Sequence, residues 1–166
     1  GYTNTGEPNP RPLTLGDGET ETADFGLHLP SPEVTVAVSP SSVDEDGSGD
    51  LVYTFTRSSV SSAPLTVNFD VGGDATYNTD YTVSGADSFD GSSGTVTILA
   101  NEPTAEVTID PTADSDVEPD ETVVLTVTDG PGYTVDTPEV ATGTIENDEE
   151  GPDLTIDSLI YDGGTY

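Results

Sequence analysis

Asp114 to Thr122 reads DSDVEPDET, and five of its nine residues are acidic: Asp114, Asp116, Glu118, Asp120 and Glu121. The flanking runs, 104–109 (TAEVTI) and 122–128 (TVVLTVT), place apolar residues at every second position. Alternation with period two marks a half-buried β-strand, so the acidic stretch reads as a loop between two strands. Five carboxylates in so short a loop repel one another unless they are solvated or neutralised. Oxygen ligands at this density suit a hard cation, calcium above all. The alternative is a solvated acidic loop in an acidic protein, and the other loops bear on that choice.

The same alternation recurs on both sides of this pair. VTVAV (34–38) puts Val34, Val36 and Val38 on one face, and LVYTFTR (51–57) puts Leu51, Tyr53 and Phe55 inward. PLTVNFDV (64–71) offers Leu65, Val67, Phe69 and Val71, and GTVTIL (94–99) offers Val96 and Ile98. Ala105, Val107 and Ile109 follow, then Val123, Leu125 and Val127, and a last strand at 139–146 with Ala141, Gly143 and Ile145 inward. No stretch has a helical period. Seven short alternating strands predict an all-β fold, a seven-stranded antiparallel two-sheet sandwich of immunoglobulin-like type. Val36, Tyr53, Phe55, Val67, Phe69, Ile98, Val107, Leu125 and Val127 are its expected core.

Composition narrows the function. The chain has 166 residues, 33 acids against 2 basic residues, and a formal charge of −31. The basic residues are Arg11 and Arg57, and there is no lysine. Such a surface repels nucleic acid and anionic membranes, and no apolar run is long enough to span a bilayer. Neither nucleic-acid binding nor membrane insertion is expected. There is no cysteine and hence no disulfide framework. Catalytic types are sparse. The one histidine, His28, reads as a surface residue, and neither a Ser–His–Asp nor a Cys–His arrangement has the residues or spacing it needs. A glycosidase-type carboxylate pair fits the composition, but no tryptophan is present to form a sugar platform. No catalytic residue is assigned, and the chain is not expected to be an enzyme.

If successive strands run in opposite directions, four acidic segments share one end of the sandwich. They carry Asp44, Glu45, Asp46 and Asp50; Asp74, Asp80, Asp87 and Asp90; Asp110, Asp114, Asp116, Glu118, Asp120 and Glu121; and Glu146, Asp148, Glu149 and Glu150. The other end carries only Glu102, Asp129 and Asp136. Crowded, partly desolvated carboxylates raise one another's pKa and destabilise the fold unless a cation compensates. All-oxygen donors favour calcium over transition metals. The spacing is not that of an EF-hand: counted from Asp114, the glycine position holds Pro119 and the twelfth holds Leu125. The ligands must come from several loops.

VDEDG (43–47), GGDATYNTDYTV (72–83), DSDVEPDETVVLTV (114–127) and TIENDE (144–149) stand in the order and spacing of the Calx-β domain, and 33–149 resembles that family. The resemblance implies a seven-stranded sandwich that binds calcium at one end. Carried over by position, it implies ligands at Glu45, Asp80, Asp114, Asp116, Glu118, Glu121, Asn147, Asp148 and Glu149. The family's exit motif is typically three aspartates; here it is Asn147, Asp148 and Glu149, with Asn147 a neutral ligand. Residues 1–29 resemble the tail of a B-type repeat of serine-aspartate-repeat adhesins through NPRPLTL, GDGET and ADFG. Residues 152–166 resemble the first strand of a CARDB-like module.

The expected organisation is therefore an N-terminal extended segment (1–32), the sandwich (33–149) and a C-terminal strand (150–166). Without an initiator methionine or signal peptide, the chain reads as a processed product or a piece of a larger protein. The expected role is a non-enzymatic, calcium-stiffened module of a bacterial or archaeal adhesin, surface layer or filament, secreted or at the cell surface. Its partners would be neighbouring domains, or further copies joined by exchange of terminal strands such as 154–160. The alternative is a calcium-dependent module that recognises a glycan or protein through the same loops.

Overall fold

A computed structural model describes residues 11–14, 20–23 and 30–149. The chain divides into two units, Gly1–Pro30 and Ser31–Tyr166. The first contains an antiparallel pair, β1 (Arg11–Thr14) and β2 (Thr20–Ala23), in register from Arg11↔Ala23 to Thr14↔Thr20. His28 and the expected strand at 154–160 lie outside the described residues.

The second unit is built from β3 (Glu33–Ser39), β4 (Ser42–Asp44), β5 (Leu51–Arg57), β6 (Leu65–Gly73), β7 (Tyr81–Ser84), β8 (Ser88–Phe89), β9 (Ser93–Ile98), β10 (Thr104–Pro111), β11 (Glu121–Thr128), β12 (Thr134–Val135) and β13 (Val140–Glu146). They form a five-stranded sheet, β12-β3-β5-β10-β7, facing a six-stranded sheet, β4-β13-β11-β6-β9-β8. The described residues include no helix. The seven strands expected from alternation are all present, as the two sheets of an open sandwich.

Strand pairing is mostly antiparallel, but β12 pairs β3 and β4 pairs β13 in parallel, so both sheets are mixed. Pro40 explains the second case. It has no N–H to continue the ladder of β3, and the chain leaves that sheet there. Ser42 to Asp44 then joins the opposite sheet beside Thr144 to Glu146. Alternation marks only 34–38 here; the chain from Glu33 to Asp44 forms two strands in different sheets, and the second leads directly into Glu45.

The core is the interior of the sandwich. All nine side chains expected there are buried, none more than 4% exposed. Val38, Val71 and Ala105, on the inward face by alternation, are only half-buried against its margin. Each fully buried aliphatic or aromatic side chain contributes roughly 1.5–3 kcal/mol of transfer free energy. Phe55 of one sheet meets Phe69 of the other at a ring-centroid distance of 5.3 Å.

One polar bridge crosses this interior. The Tyr53 hydroxyl donates to the Val123 carbonyl at 2.7 Å and accepts from the Gly143 N–H at 3.1 Å. Position 143 is glycine because a Cβ would lie 2.7 Å from both that hydroxyl and Leu51 Cδ1. Burial pushes the phenol's pKa up, so it stays protonated and can donate. Tyr53→Phe should destabilise the domain by about 1–3 kcal/mol, because it leaves a buried N–H and carbonyl unpaired. Equilibrium urea unfolding measures this; unchanged stability would show that water replaces the bridge.

Candidate metal centre

Four segments converge at one end, and backbone contacts bring each of them in. Glu45 follows β4, and its N–H donates to the Glu146 carbonyl at 2.9 Å, extending the pairing with β13 by one residue. Asp80 closes the loop after β6. Its N–H bonds the Thr76 carbonyl at 2.9 Å, the Thr76 N–H donates to its carboxylate, and its carbonyl accepts from Thr112 at 2.9 Å. Gly73 lets this loop approach β11: its φ is +111°, and a Cβ would sit 2.1 Å from the Thr122 carbonyl. That carbonyl accepts from the Asp74 and Ala75 N–H groups at 3.0 and 3.2 Å.

The acidic loop before β11 is tied to the chain after β13 through Asn147. Its Oδ1 accepts from the Glu118 N–H at 2.9 Å, and its Nδ2 donates to the Glu149 carbonyl at 3.1 Å. The Asn147 N–H donates to Asp120 Oδ1 at 3.2 Å. Asn147 thus braces the two segments with its side chain.

The carboxylates fall into two triads. Glu45, Asp148 and Glu149 form one, and Asp80, Glu118 and Glu121 the other; within each, carboxylate oxygens lie within 4.8 Å of one another. A cleft of about 10 Å³ lies between Glu45, Asp80, Glu118, Pro119, Glu121, Ile145 and Asn147, space for one water-sized sphere. Glu45 is buried, 6% exposed. Glu149 Oε2 is buried without a hydrogen-bond partner. Such an atom in a native fold calls for a cation, a proton or water.

The electrostatics follow. Burial first, then the charges of Asp114, Glu149, Glu118 and Asp46, push the Glu45 carboxyl up to about 7. Burial and the neighbouring Asp80 carboxylate push Glu121 up to about 7 as well. Glu118 is raised in the same way, by desolvation and then by Asp114, Asp80, Asp116 and Glu149.

Of the residues implied by position, six form the triads. Asp114 belongs to neither, but its charge is felt by both Glu45 and Glu118. Asp116 is exposed; its N–H donates to Asp114 Oδ1 at 2.7 Å, and its charge reaches Glu118. Sequence reasoning missed Asp74 and Asp120 as supports. Asp74 accepts from the Thr122 hydroxyl at 3.0 Å beside Glu121, and its charge helps raise that group. Asp90 shares the acidic segment in sequence but not the site. Its carboxylate is held by the Ser92 and Ser93 N–H groups at 3.0 and 2.8 Å, which push its pKa down to about 2.

Solved structures of similar shape include Calx domains. The Calx CBD1 domain in its apo form superposes with a TM-score of 0.53 at 19% identity, over 70% of this chain and 98% of that one. CBD12 from CALX1.2 gives 0.55 at 19% identity, over 70% of this chain but 46% of that one. The calcium-binding domain CBD12 of CALX1.1 gives 0.53 at 20%, over 69% and 44%. At these identities the likeness establishes the Calx-β-like sandwich fold. No family model and no curated protein matches the chain.

The raised carboxyls predict how the metal-free protein responds to pH. A carboxyl whose pKa is higher folded than unfolded stabilises fully below its ordinary value of 4.5, and loses that contribution as pH rises through about 7. In excess chelator the melting temperature should therefore fall from pH 5 to pH 8. The Glu45→Gln, Glu121→Gln double variant should flatten that dependence. A melting temperature that rises over this window, or an equally steep fall in the double variant, would contradict the assignment.

Proposed function

We propose that the carboxylate end binds calcium, and that the chain is a non-enzymatic structural module of a bacterial or archaeal adhesin, surface layer or filament outside the cell. The observation that carries the reading is the Glu45–Asp148–Glu149 triad, with its buried, unpartnered Glu149 Oε2. Leaving a charged oxygen buried and unpaired is costly, and a hard cation removes the cost. The donor set is oxygen throughout, from segments far apart in sequence, and calcium accepts six to eight such ligands in flexible geometry. Glu45, Asp148 and Glu149 would hold an ion at one triad, and Asp80, Glu118 and Glu121 at the other. Bound calcium would supply positive charge that fastens the chain leaving the sandwich to its loops. The angle to whatever follows residue 149 would then be fixed.

The surface setting is supported by the acidic composition and by the resemblance of 1–29 and 152–166 to segments of adhesion modules. Exchange of the 154–160 strand between copies would make a heterologous contact, which propagates as a filament unless it closes into a ring.

Calorimetry at fixed ionic strength tests the calcium reading. Binding to the folded state alone stabilises it by RT ln(1 + [L]/Kd), roughly 2.7 kcal/mol at about 100-fold over Kd. Glu45→Gln and Glu118→Gln should each lower the calcium-dependent rise in melting temperature, and the two together should remove most of it. Identical melting in calcium and in chelator would end this reading. For assembly, deletion of 154–166 should abolish filaments seen by electron microscopy. A full chain that stays monomeric at high concentration in calcium would reject the polymer.

A further inference from the structure

Between β6 and β9 the chain makes a long excursion that carries Asp80, β7 and β8. Five aromatic rings run in series from the core into it. Phe55 and Phe69 lie in the core with centroids 5.3 Å apart, Phe89 stacks on Phe69 at 6.3 Å, Tyr77 meets Phe89 edge-on at 4.8 Å, and Tyr81 packs on Tyr77 at 5.9 Å. Tyr81 is 1% exposed, whereas Tyr77 and Phe89 are half-buried at the margin. Tyr77 and Tyr81 bracket the turn of Asp80. The Asn78 N–H donates to the Tyr81 carbonyl at 2.9 Å, which closes that turn. Neither Tyr77 nor Phe89 is one of the carboxylates that form the triads, so ion coordination itself gives no reason for the two rings.

When ionised, Asp80, Glu118 and Glu121 repel one another, and that repulsion acts on the Asp80 loop. A loop free to yield would have to be ordered again whenever a cation bound, and that cost weakens binding. We propose that Tyr77 and Phe89 are positioning residues that clasp the Asp80 turn to the core and set the cation affinity of the Asp80–Glu118–Glu121 triad. The proposal rests on the calcium reading above.

The test is a calcium titration of the full chain at fixed ionic strength, followed by the backbone amide resonances of Asp80 and Glu121 and, separately, of Glu45 and Asp148. Tyr77→Ala should weaken the response at Asp80 and Glu121 about tenfold and leave that at Glu45 and Asp148 within about twofold. Tyr77→Phe, which keeps the ring, should titrate like the natural chain. Phe89→Leu keeps apolar bulk but loses the edge-on contact; it should weaken the same triad to a smaller degree, and it decides the matter if Tyr77→Ala does not fold. Equal weakening at both triads would show general loosening and overturn the proposal, as would no change at either. Natural-chain shifts confined to Glu45 and Asp148 would overturn it while leaving calcium binding intact. Absence of shifts at both triads would remove the calcium reading, and this proposal with it.

Discussion

The structure depends on like charges held together against their repulsion. Six carboxylates from four chain segments meet at one end of the sandwich, with oxygens within 4.8 Å of one another in each triad. An unfolded chain would let them separate and hydrate. The folded chain keeps them in place because β4, β11 and β13 are fixed by sheet pairing and by a core that crosses both sheets. The strain appears in Glu45 and Glu121, pushed up to about 7, so that without metal the fold relieves itself by taking up protons near neutrality. A cation gives the same relief without surrendering the charge, and it can bridge segments that a proton cannot.

The opposite end solves the reverse problem without help from solvent. Arg57 is buried, 3% exposed, and donates to the carbonyls of Glu102 at 2.8 Å and of Ala63, Ser61 and Leu99 at 3.1 Å each. One guanidinium gathers two loops through carbonyl dipoles, with its fork of donors satisfied from several directions. The two ends are thus alike in logic. At one, a covalently attached cation organises neutral oxygens. At the other, charged oxygens are gathered, and residues 31–149 hold no basic side chain but Arg57 to offset them. This contrast supports reading the carboxylate end as a ligand site rather than as surplus acidity, since the fold can staple loops with its own residues where no ligand is needed.

Alternation sufficed for the long strands because each buries several side chains on one face, as Leu51, Tyr53 and Phe55 do on β5. The four short strands of the sandwich, β4, β7, β8 and β12, were not legible for the same reason. In β4 only Val43 points inward, and β8 and β12 are two residues each. Strands this short exist because a neighbour's backbone is already there to pair with, which is a tertiary fact. The parallel pairing of β4 with β13 was likewise hidden, although Pro40 marks where the ladder of β3 must end. Sequence could place Glu45, Asp80, Glu118, Glu121, Asp148 and Glu149 at one end by strand direction. It could not sort them into two triads, or separate them from Asp90, whose carboxylate is consumed by its own turn. That division depends on distances of a few ångströms between loops.

Asn147 shows what a residue type can mean once those distances are known. By resemblance alone the position belongs to a run of acidic ligands, and asparagine there looks like a weakened one. In the fold it does two things at once: its Oδ1 accepts from Glu118 and its Nδ2 donates to the Glu149 carbonyl. An aspartate could accept but not donate, so the second bond would be lost and two acceptors would face each other. It would also add a negative charge near buried Glu45 and the unpartnered Glu149 Oε2. The amide therefore surrenders one ligand charge and gains a brace between the acidic loop and the chain after β13. Because Asp120 takes the Asn147 N–H as well, that loop is held through this residue before any ion arrives. A site braced in this way can keep its carboxylates in place when empty.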